Sequence, residues 1–509
     1  MSPLAESPTV ARRPRGGHVL TSSARTRRTN TSDADVVIVG AGLAGLAAAH
    51  HLTSAGLAVV VLEAQSHVGG RMATDHVDGF RLDRGAGLLC SDWPELAGLP
   101  GLGLGSALAL RPFTPGALMR TGDRCLPVGD LRAGTGRHAR AVRQGREGRQ
   151  GRVPYPYSYA YQMRSTKQAL SAARSFGGGR GLGRTARTTR TTMSDALDLA
   201  RLRAGFARLA NTPAERLRAR AELPAGEALS ARGLPTRTAD TLVGPLLAAL
   251  LCDPELTTSS RVADLALRSF VRSGLCLPAG GASTLPELLA AGLPKGTVRR
   301  GVRATSVAAN AVNTDGHGVL GCRAALIATG ARDAARLLPG LRVPDFHPVT
   351  VLHHAAQEPP MTAPALVVDA DRHGPVSHTW VTSAVDPSRA RPDRTLISSV
   401  VLGPAAADPV GPLDKAARTQ LAELYGVPTD RWELLRSHHD PRAVPAMPTP
   451  HDGRRPVRVL CGLYVCGDHR DTSSTQGALS SARRAAVEVL RDFGLRTAGV
   501  GERELLAVA

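Results

Sequence analysis

Three glycines and one carboxylate near the start of the sequence have types and a spacing that suit one kind of chemistry. Gly40, Gly42 and Gly45 follow a β-branched run at 36–39 and precede an alanine-rich stretch. In a strand–turn–helix unit the first glycine permits a tight turn, the second lets backbone approach a pyrophosphate, and the third lets the helix pack close to the strand. Glu63 lies 23 residues after Gly40, where a carboxylate accepts hydrogen bonds from ribose hydroxyls. The spacing therefore predicts a dinucleotide site, and the acidic residue disfavours the 2′-phosphate of NADP.

The elements that must position these residues can be predicted from hydrophobic patterning. Residues 36–39 are typical of a strand buried on both faces, and residues 46–54 favour a helix that Gly56 would end. A second buried strand is predicted at 58–62, and helical periodicity returns near Met193. Further strands are predicted at 302–307, 324–328, 350–354, 396–402 and 463–466.

Several short motifs follow Glu63. The first is Val-Gly-Gly-Arg at 68–71. The others lie at 79–85, 277–281, 301–302, 328–330, 462–468, 476–478 and 481–486. Together they closely resemble the motifs of the flavin amine oxidase and phytoene desaturase superfamily, which includes protoporphyrinogen oxidase-like proteins. The resemblance covers roughly residues 33–130 and 193–495 and leaves 132–192 outside it.

This resemblance implies that FAD is the cofactor and that separate segments of the chain contact it. The FAD-binding residues expected from the glycine spacing and from the resemblance are Gly40, Gly42, Leu43, Ala44, Gly45, Glu63, Ala64, Gly69, Gly70, Arg71, Val302, Gly467, Asp468, Gln476, Gly477 and Ala478. Asp468 would accept hydrogen bonds from ribityl hydroxyls, and a helix beginning near Gly477 would aim its positive end at the flavin N1–C2=O edge. No cysteine or histidine stands at a linkage position, so noncovalent binding is predicted.

The predicted fold class is α/β, with a Rossmann-like FAD-binding domain of mostly parallel sheet and an α+β substrate domain. Both domains would be assembled from discontinuous segments. The FAD-binding domain is predicted at 33–95, 277–345 and 455–495, and the substrate domain at 96–276 and 346–454. Residues 1–32 are predicted to be a disordered basic tail, and 132–192 a basic low-complexity insertion.

The positive charge of the chain is unevenly distributed. Of the formal net charge of +20, residues 1–30 carry +5 and residues 132–190 carry +13, so the rest is close to neutral. The basicity therefore lies in segments that need not fold, and no specific nucleic-acid partner is expected. Nucleic-acid binding through these arginine-rich segments stays open as an alternative.

Composition also bears on redox state, metals and membranes. The seven cysteines are scattered without short paired spacings, which predicts reduced thiols, a cytoplasmic protein and no metal site. The sequence contains no run of 18 apolar residues, so no transmembrane helix is predicted, although a peripheral membrane contact stays open. A small-molecule substrate is expected, and nothing in the sequence predicts the oligomeric state.

Two positions depart from the amine oxidase pattern. That branch often holds a lysine near flavin N5, but the matching strand has Thr350 and no lysine. It also commonly places a tyrosine three residues before the Gly-Ala of the last helix, where this chain has Ser474. Both departures favour substrates oxidised at carbon–carbon or ring positions. The histidine pairs 353–354 and 438–439 are predicted to be strand or surface residues, and no catalytic residue is assigned.

The sequence thus predicts an FAD-dependent oxidoreductase that takes a hydride from an apolar or amine substrate, with the flavin reoxidised by oxygen or another acceptor. The alternative from a different class is a non-catalytic FAD-binding protein.

Overall fold

The computed structural model describes residues 33–99, 108–122, 124–131, 182–231 and 235–495, with the side chains of 182–196 left out. The predicted basic tail and most of the predicted insertion lie outside the described residues. Nineteen strands occur in the described part of the chain. They are β1 Ala34–Val39, β2 Val59–Glu63, β3 Thr74–Val77, β4 Phe80–Asp83, β5 Leu110–Pro112, β6 Ala117–Thr121, β7 Arg124–Val128, β8 Cys276–Pro278, β9 Val298–Arg300, β10 Ala304–Ala308, β11 Ala311–Thr314, β12 Gly318–Ile327, β13 Phe346–Ala356, β14 Leu366–Asp369, β15 Val376–Val381, β16 Thr395–Leu402, β17 Glu433–Pro445, β18 Arg458–Leu460 and β19 Leu463–Val465.

The helices of the same part of the chain vary from single turns to eight turns. They are α1 Leu43–Ser54, α2 Pro94–Ala97, α3 Leu182–Asn211, α4 Ala214–Arg218, α5 Ala225–Ala231, α6 Thr236–Thr238, α7 Gly244–Leu251, α8 Ser260–Ser273, α9 Thr284–Gly292, α10 Ala331–Leu337, α11 Thr382–Val385, α12 Val410–Tyr425 and α13 Thr475–Asp492. A π-helical turn at Ala239–Val243 joins α6 to α7, and short 3-10 turns follow α11, β16 and β19.

The first sheet has eight strands, in the order β10-β11-β12-β1-β2-β9, with β19 beside β12 and β18 beside β19. Strand β1 runs parallel to both β12 and β2, with Val37 opposite Ala325 and Val60. Helix α1 joins β1 to β2 and packs beside α13 and α9. The apolar run of β1 is buried on both faces because α1, α9 and α13 cover one face and α10 and the β10–β11 hairpin lie against the other.

The second sheet has seven strands, in the order β17-β13-β16-β15-β14-β6-β7, and only the β14–β6 pair is parallel. Helix α12 covers one side of it with apolar side chains. Helices α3 to α8 form a separate layer whose apolar residues pack against the opposite side. Two mixed sheets with helices packed on them confirm the predicted α/β class. No helix in the described ranges is long and apolar enough to cross a membrane.

Most of the strands predicted beyond 300 are present, with their ends shifted by a few residues. The prediction for the helical region is wrong at its start, because α3 begins at Leu182 and not near Met193. Eleven residues assigned to the low-complexity insertion are therefore helical. The small number of apolar residues in this segment does not prevent a helix, since the hydrogen bonds of a helix are local to the segment.

Candidate cofactor site and adjoining cavity

The glycine-rich turn after β1 combines two crowded positions with one open position. Gly40 has φ +106°, and a Cβ added there would lie 3.0 Å from the Ala328 carbonyl oxygen. A Cβ on Gly45 would lie 2.0 Å from the Gly40 oxygen, so both positions require glycine. Around Gly42, in contrast, no heavy atom lies within 4 Å of where a Cβ would stand. This open position adjoins the start of α1, which no side chain caps, so the Leu43 amide and its neighbours lack intrahelical acceptors.

Glu63 ends β2 beside this turn. Its Oε2 accepts a hydrogen bond from the Ala41 amide at 2.8 Å, and its Oε1 accepts one from the Gln65 amide at 2.9 Å. The side chain is half-buried, and a carboxylate has about four acceptor sites, so acceptors remain for a ligand hydroxyl. The Glu63 carbonyl oxygen in turn accepts from the amide of Val302 at 2.8 Å. The predicted residues Glu63 and Val302 are therefore neighbours, with Ala64 directly following.

The Gly-Gly-Arg motif lies against the glycine-rich turn. The Gly69 amide donates to the Ala41 carbonyl at 2.9 Å, and Gly70 has φ +57° with its Cβ position 3.8 Å from the Gly42 Cα. Arg71 follows, half-exposed, and its Nη1 lies 2.7 Å from Oδ2 of Asp468. The Gly-Gly-Arg segment thus contacts both the glycine-rich turn after β1 and Asp468, which is almost 400 residues away in the sequence.

Asp468 is buried at the end of the β19 strand. Burial alone would raise the pKa of Asp468, but the Arg71 charge and the contact with His469 outweigh it and hold the pKa well below its usual range. The residue before it, Gly467, has φ +140°, a conformation that favours glycine. An ionised carboxylate at this position can accept hydrogen bonds from hydroxyl groups of a ligand.

Helix α13 begins at Thr475, two residues before the predicted start. Ser474 caps it, since its Oγ accepts a hydrogen bond from the Gly477 amide at 3.1 Å. A Cβ on Gly477 would lie 1.9 Å from the Thr472 oxygen, so this position also requires glycine. The side-chain oxygen of Gln476 accepts from the Glu95 amide at 3.2 Å, which ties the start of α13 to α2, and Ala478 packs into the core beside it.

These residues fit a dinucleotide. The open position at Gly42 and the uncapped start of α1 leave room and N–H donors for phosphates. Glu63 keeps acceptors for a ribose. The ion pair of Arg71 and Asp468 offers a second polar contact for the ligand. The structure thus places the predicted cofactor residues in one connected region.

A cavity of about 730 Å³ adjoins this region. Its lining includes Arg71, the backbone at 85–87 and residues 471–476 on the side of the predicted cofactor site. Helices α7 and α8 and Met447 supply mostly apolar side chains. The cavity therefore lies between the predicted cofactor residues and an apolar wall formed by α7, α8 and Met447.

The charged side chains that line this cavity are mostly positive. Among the described residues, five arginines and only two aspartates line it. Both carboxylates already have partners in the chain. Asp452 accepts from the Arg454 amide at 3.0 Å, and Asp471 accepts from Ser480 at 2.9 Å and from Arg484 at 3.2 Å. Asp471 is therefore offset by the Arg484 charge, whereas Asp452 is exposed and accepts from a backbone amide.

A buried arginine that the sequence analysis missed fixes the loop at 277–282. Arg389 is 2% exposed and donates to a carboxylate oxygen of Asp83, to Asp386 at 3.4 Å and to the Pro278 carbonyl at 3.0 Å. The Gly280 amide donates to the same Asp386 carboxylate at 2.7 Å. Burial would raise the pKa of Asp386, but the Gly280 hydrogen bond, other donors and the Arg389 charge together lower it.

The histidines predicted as strand or surface residues all lie on strands. His353 and His354 are buried on β13, whereas His438 and His439 on β17 are half-buried and exposed. His353 lies 2.9 Å from the Asp83 carbonyl oxygen, and burial lowers its pKa to about 4. No group of three or more metal-ligating side chains occurs in the residues that the structure describes.

The structure shows the surroundings of Thr350 and Ser474, the two positions that depart from the amine oxidase pattern. Thr350 is buried and its Oγ donates to the Ala406 carbonyl at 2.5 Å. Ser474 lines the cavity and caps α13. Cys466 is fully buried, and burial raises its pKa to about 12, so its thiol stays protonated.

Comparison with known proteins places this geometry in context. A putrescine oxidase from Kocuria rosea is 51% identical over 65 residues, which are 13% of this chain and 14% of that protein. A phytoene dehydrogenase from Streptomyces griseus is 54% identical over 54 residues, 11% of each chain. The matched segments thus span less than a sixth of either relative.

Solved structures share the fold over much more of the chain. A crystal structure of a protein from Pyrococcus furiosus has a TM-score of 0.60 at 15% identity, covering 90% of this chain and 97% of that one. A structure of putrescine oxidase bound to putrescine has a TM-score of 0.57 at 18% identity, covering 90% and 99%.

The family of flavin containing amine oxidoreductases matches residues 43–490. This match confirms, at the level of the family, the predicted FAD cofactor and the predicted oxidoreductase class. The chain belongs to the flavin-containing amine oxidoreductase family.

Proposed function

We propose that the chain binds FAD noncovalently in a Rossmann-like domain and oxidises an apolar small molecule held in the adjoining cavity. The cofactor domain would comprise 33–95, 277–345 and 455–495, and the substrate domain 96–276 and 346–454. The first sheet draws its strands from the former segments, and most of the second sheet comes from the latter.

The residues of the chain would bind and orient the cofactor. The amides at the start of α1 would meet the pyrophosphate, and Glu63 would accept hydrogen bonds from the ribose. Arg71 and Asp468 would hold the middle of the cofactor, and the start of α13 would direct its positive end at the flavin ring. FAD, when bound, supplies hydride acceptance. The predicted site residues between Gly40 and Ala478 keep these proposed roles.

The substrate is proposed to be apolar and to lack a positive charge. The observation that carries this is the cavity, whose apolar helices adjoin the cofactor region while its charged lining is mostly arginine. An ammonium group would lose its hydration beside the apolar helices and would be repelled by the excess of arginines over aspartates in the lining. Oxygen or another acceptor would reoxidise the flavin.

The test begins with the purified protein. It should be yellow, and acid precipitation should release the colour from the polypeptide. Anaerobic stopped-flow reduction is then measured with a panel of small primary amines, polyenes and cyclic precursors. We expect larger apolar molecules with an activated C–H bond to reduce the flavin faster than the amines.

Two results would contradict this proposal in different ways. Fast, saturable reduction by a small primary amine would show that the substrate class is wrong. A flavin that dithionite reduces but no panel member reduces would favour the non-catalytic FAD-binding alternative. Reduction by a polyene that survives removal of residues 132–167 would also separate oxidase chemistry from any nucleic-acid binding by that segment.

A further inference from the structure

One wall of the cavity carries arginines on a single face of α8. Arg261, Leu265 and Arg268 are spaced by four and three residues, so they project from the same side of the helix, and all three line the cavity. Arg218 on α4, which packs against α8, lines it as well. The cations thus lie next to apolar side chains and not on a separate polar surface.

These arginines differ in their partners. Arg218 pairs with Glu215 at 3.2 Å, and Arg261 lies 3.5 Å from Glu222, so carboxylates offset both charges. Arg268 is half-buried, and its Nε donates to the Thr212 carbonyl at 2.8 Å. Within the described part of the chain, no carboxylate lies within ion-pair distance of it.

The surroundings of Arg268 also lack an uncommitted negative charge. Its neighbour Arg272 already pairs with Asp92 at 3.3 Å. Burial, followed by the charge of Arg272, lowers the pKa of Arg268, although a guanidinium still keeps its proton at any working pH. Of the two aspartates in the cavity lining, Asp471 accepts from Ser480 and Arg484, and Asp452 accepts from the Arg454 amide. Arg268 is therefore a cation at an apolar wall, with its two terminal nitrogens available.

We propose that Arg268 binds a carboxylate group on an otherwise apolar substrate. A planar guanidinium with free terminal N–H groups matches a carboxylate in a two-point hydrogen-bonded geometry. The apolar side chains of α7 and α8 would cover the rest of the molecule. This inference rests on the proposed function and names its substrate class: apolar carboxylic acids.

The test uses three probes with the same chain length and different charge. Octanoate, octanol and octylamine are titrated into the FAD-loaded protein by calorimetry, with the flavin absorbance recorded in parallel. We expect octanoate to bind about 10- to 100-fold more tightly than octanol, the range for a charge-assisted hydrogen bond, and octylamine to bind most weakly. Equal binding of octanoate and octanol, or tighter binding of octylamine, would overturn the proposal.

Substitutions test whether Arg268 is the source of the octanoate preference. Arg268→Met should reduce octanoate affinity to that of octanol, and Arg268→Lys, which keeps the charge but loses the planar fork, should fall between them. Arg216→Met is the matched control, because Arg216 is exposed on α4 and should leave the octanoate preference unchanged. If Arg268→Met does not fold, Arg268→Gln, which keeps an N–H donor to the backbone, is compared in its place. An unchanged octanoate preference in the folded variant would contradict the assignment.

The same variants separate this proposal from other roles. Loss of FAD from a folded Arg268→Met protein would show that the arginine holds cofactor phosphates, and the carboxylate proposal would be wrong. A true substrate without a carboxylate whose KM equals that of its acid analogue would also refute the proposal while leaving the oxidoreductase function intact. Conversely, an octanoate preference in a protein whose flavin no substrate reduces would uphold the carboxylate site and remove the proposed function.

Discussion

Replacing Arg389 with methionine tests whether the buried ion cluster holds β4 to the loop at 277–282. The side chain is 2% exposed and donates to two carboxylates and to the Pro278 carbonyl. Methionine fills similar volume but removes this cation from the buried Asp83 and Asp386, while the half-exposed Arg111 remains 3.8 Å from Asp386. Removing one partner from a buried pair typically costs about 3–5 kcal/mol of unfolding free energy, because the remaining charge is uncompensated. That is a large part of a total stability of roughly 5–15 kcal/mol.

The measurement is urea unfolding at pH 7, followed by both flavin and tryptophan fluorescence. At about 2 °C per kcal/mol, the same loss should lower the melting temperature by roughly 6–10 °C. Arg391→Met is the matched control, since Arg391 is exposed and its ion pair with Asp393 lies at the surface, where solvent screens it. Because residues 277–281 are among the motifs that resemble those of the flavin superfamily, FAD content should also fall in Arg389→Met and not in the control.

Unfolding measured at lower pH tests independently whether the buried carboxylates cause that destabilisation. Without Arg389, burial should raise the pKa of the Asp386 carboxylate, so this group takes up a proton more readily as the pH falls. The difference in unfolding free energy between the natural protein and Arg389→Met should then shrink. A triple variant that also carries Asp83→Asn and Asp386→Asn should recover part of the loss at pH 7. A cost below about 1 kcal/mol, or a difference that does not change with pH, would refute the reasoning.

Three further predictions concern the cofactor, acid and the basic insertion. Glu63→Ala should weaken FAD binding about 10- to 100-fold through loss of a charge-assisted hydrogen bond, measured by FAD titration, while Asp315→Ala on the surface should have no effect. Burial lowers the pKa of His353 to about 4 and of His378 to about 3, so the unfolded chain binds more protons below pH 6.5. The unfolding free energy measured in urea should therefore fall by about 2 kcal/mol per histidine between pH 7 and pH 5, and a flat profile would contradict this. Deleting 132–167 should leave FAD content and melting temperature nearly unchanged and remove much of the net charge, whereas loss of soluble holoprotein would show that the segment is structural.

The sequence was most informative where local rules act alone. The turn at Gly40 and Gly45 could be predicted because backbone crowding there admits only glycine, and the first strand because its apolar run must be buried on both faces. The start of α3 at Leu182 was not predicted, since patterning based on apolar residues does not detect the mostly polar first turns of this helix. Arg389 could not be found either, because its partners lie 306 and 111 residues away in the chain.

The arginines of this chain show that the net charge does not reveal which charges surround a site. The chain carries a formal charge of +20, nearly all of it in segments outside the described sheets, and the remainder is close to neutral. Yet within that near-neutral body, Arg389 is neutralised by two buried carboxylates while Arg268 faces a cavity with none assigned to it. The field that a ligand meets depends on this local pairing, since exposed charges farther away than about 10 Å are screened by salt. Arg268, the arginine proposed to select the substrate, donates to a backbone carbonyl and pairs with no carboxylate of the described residues, and its position follows from the face of α8 that lines the cavity.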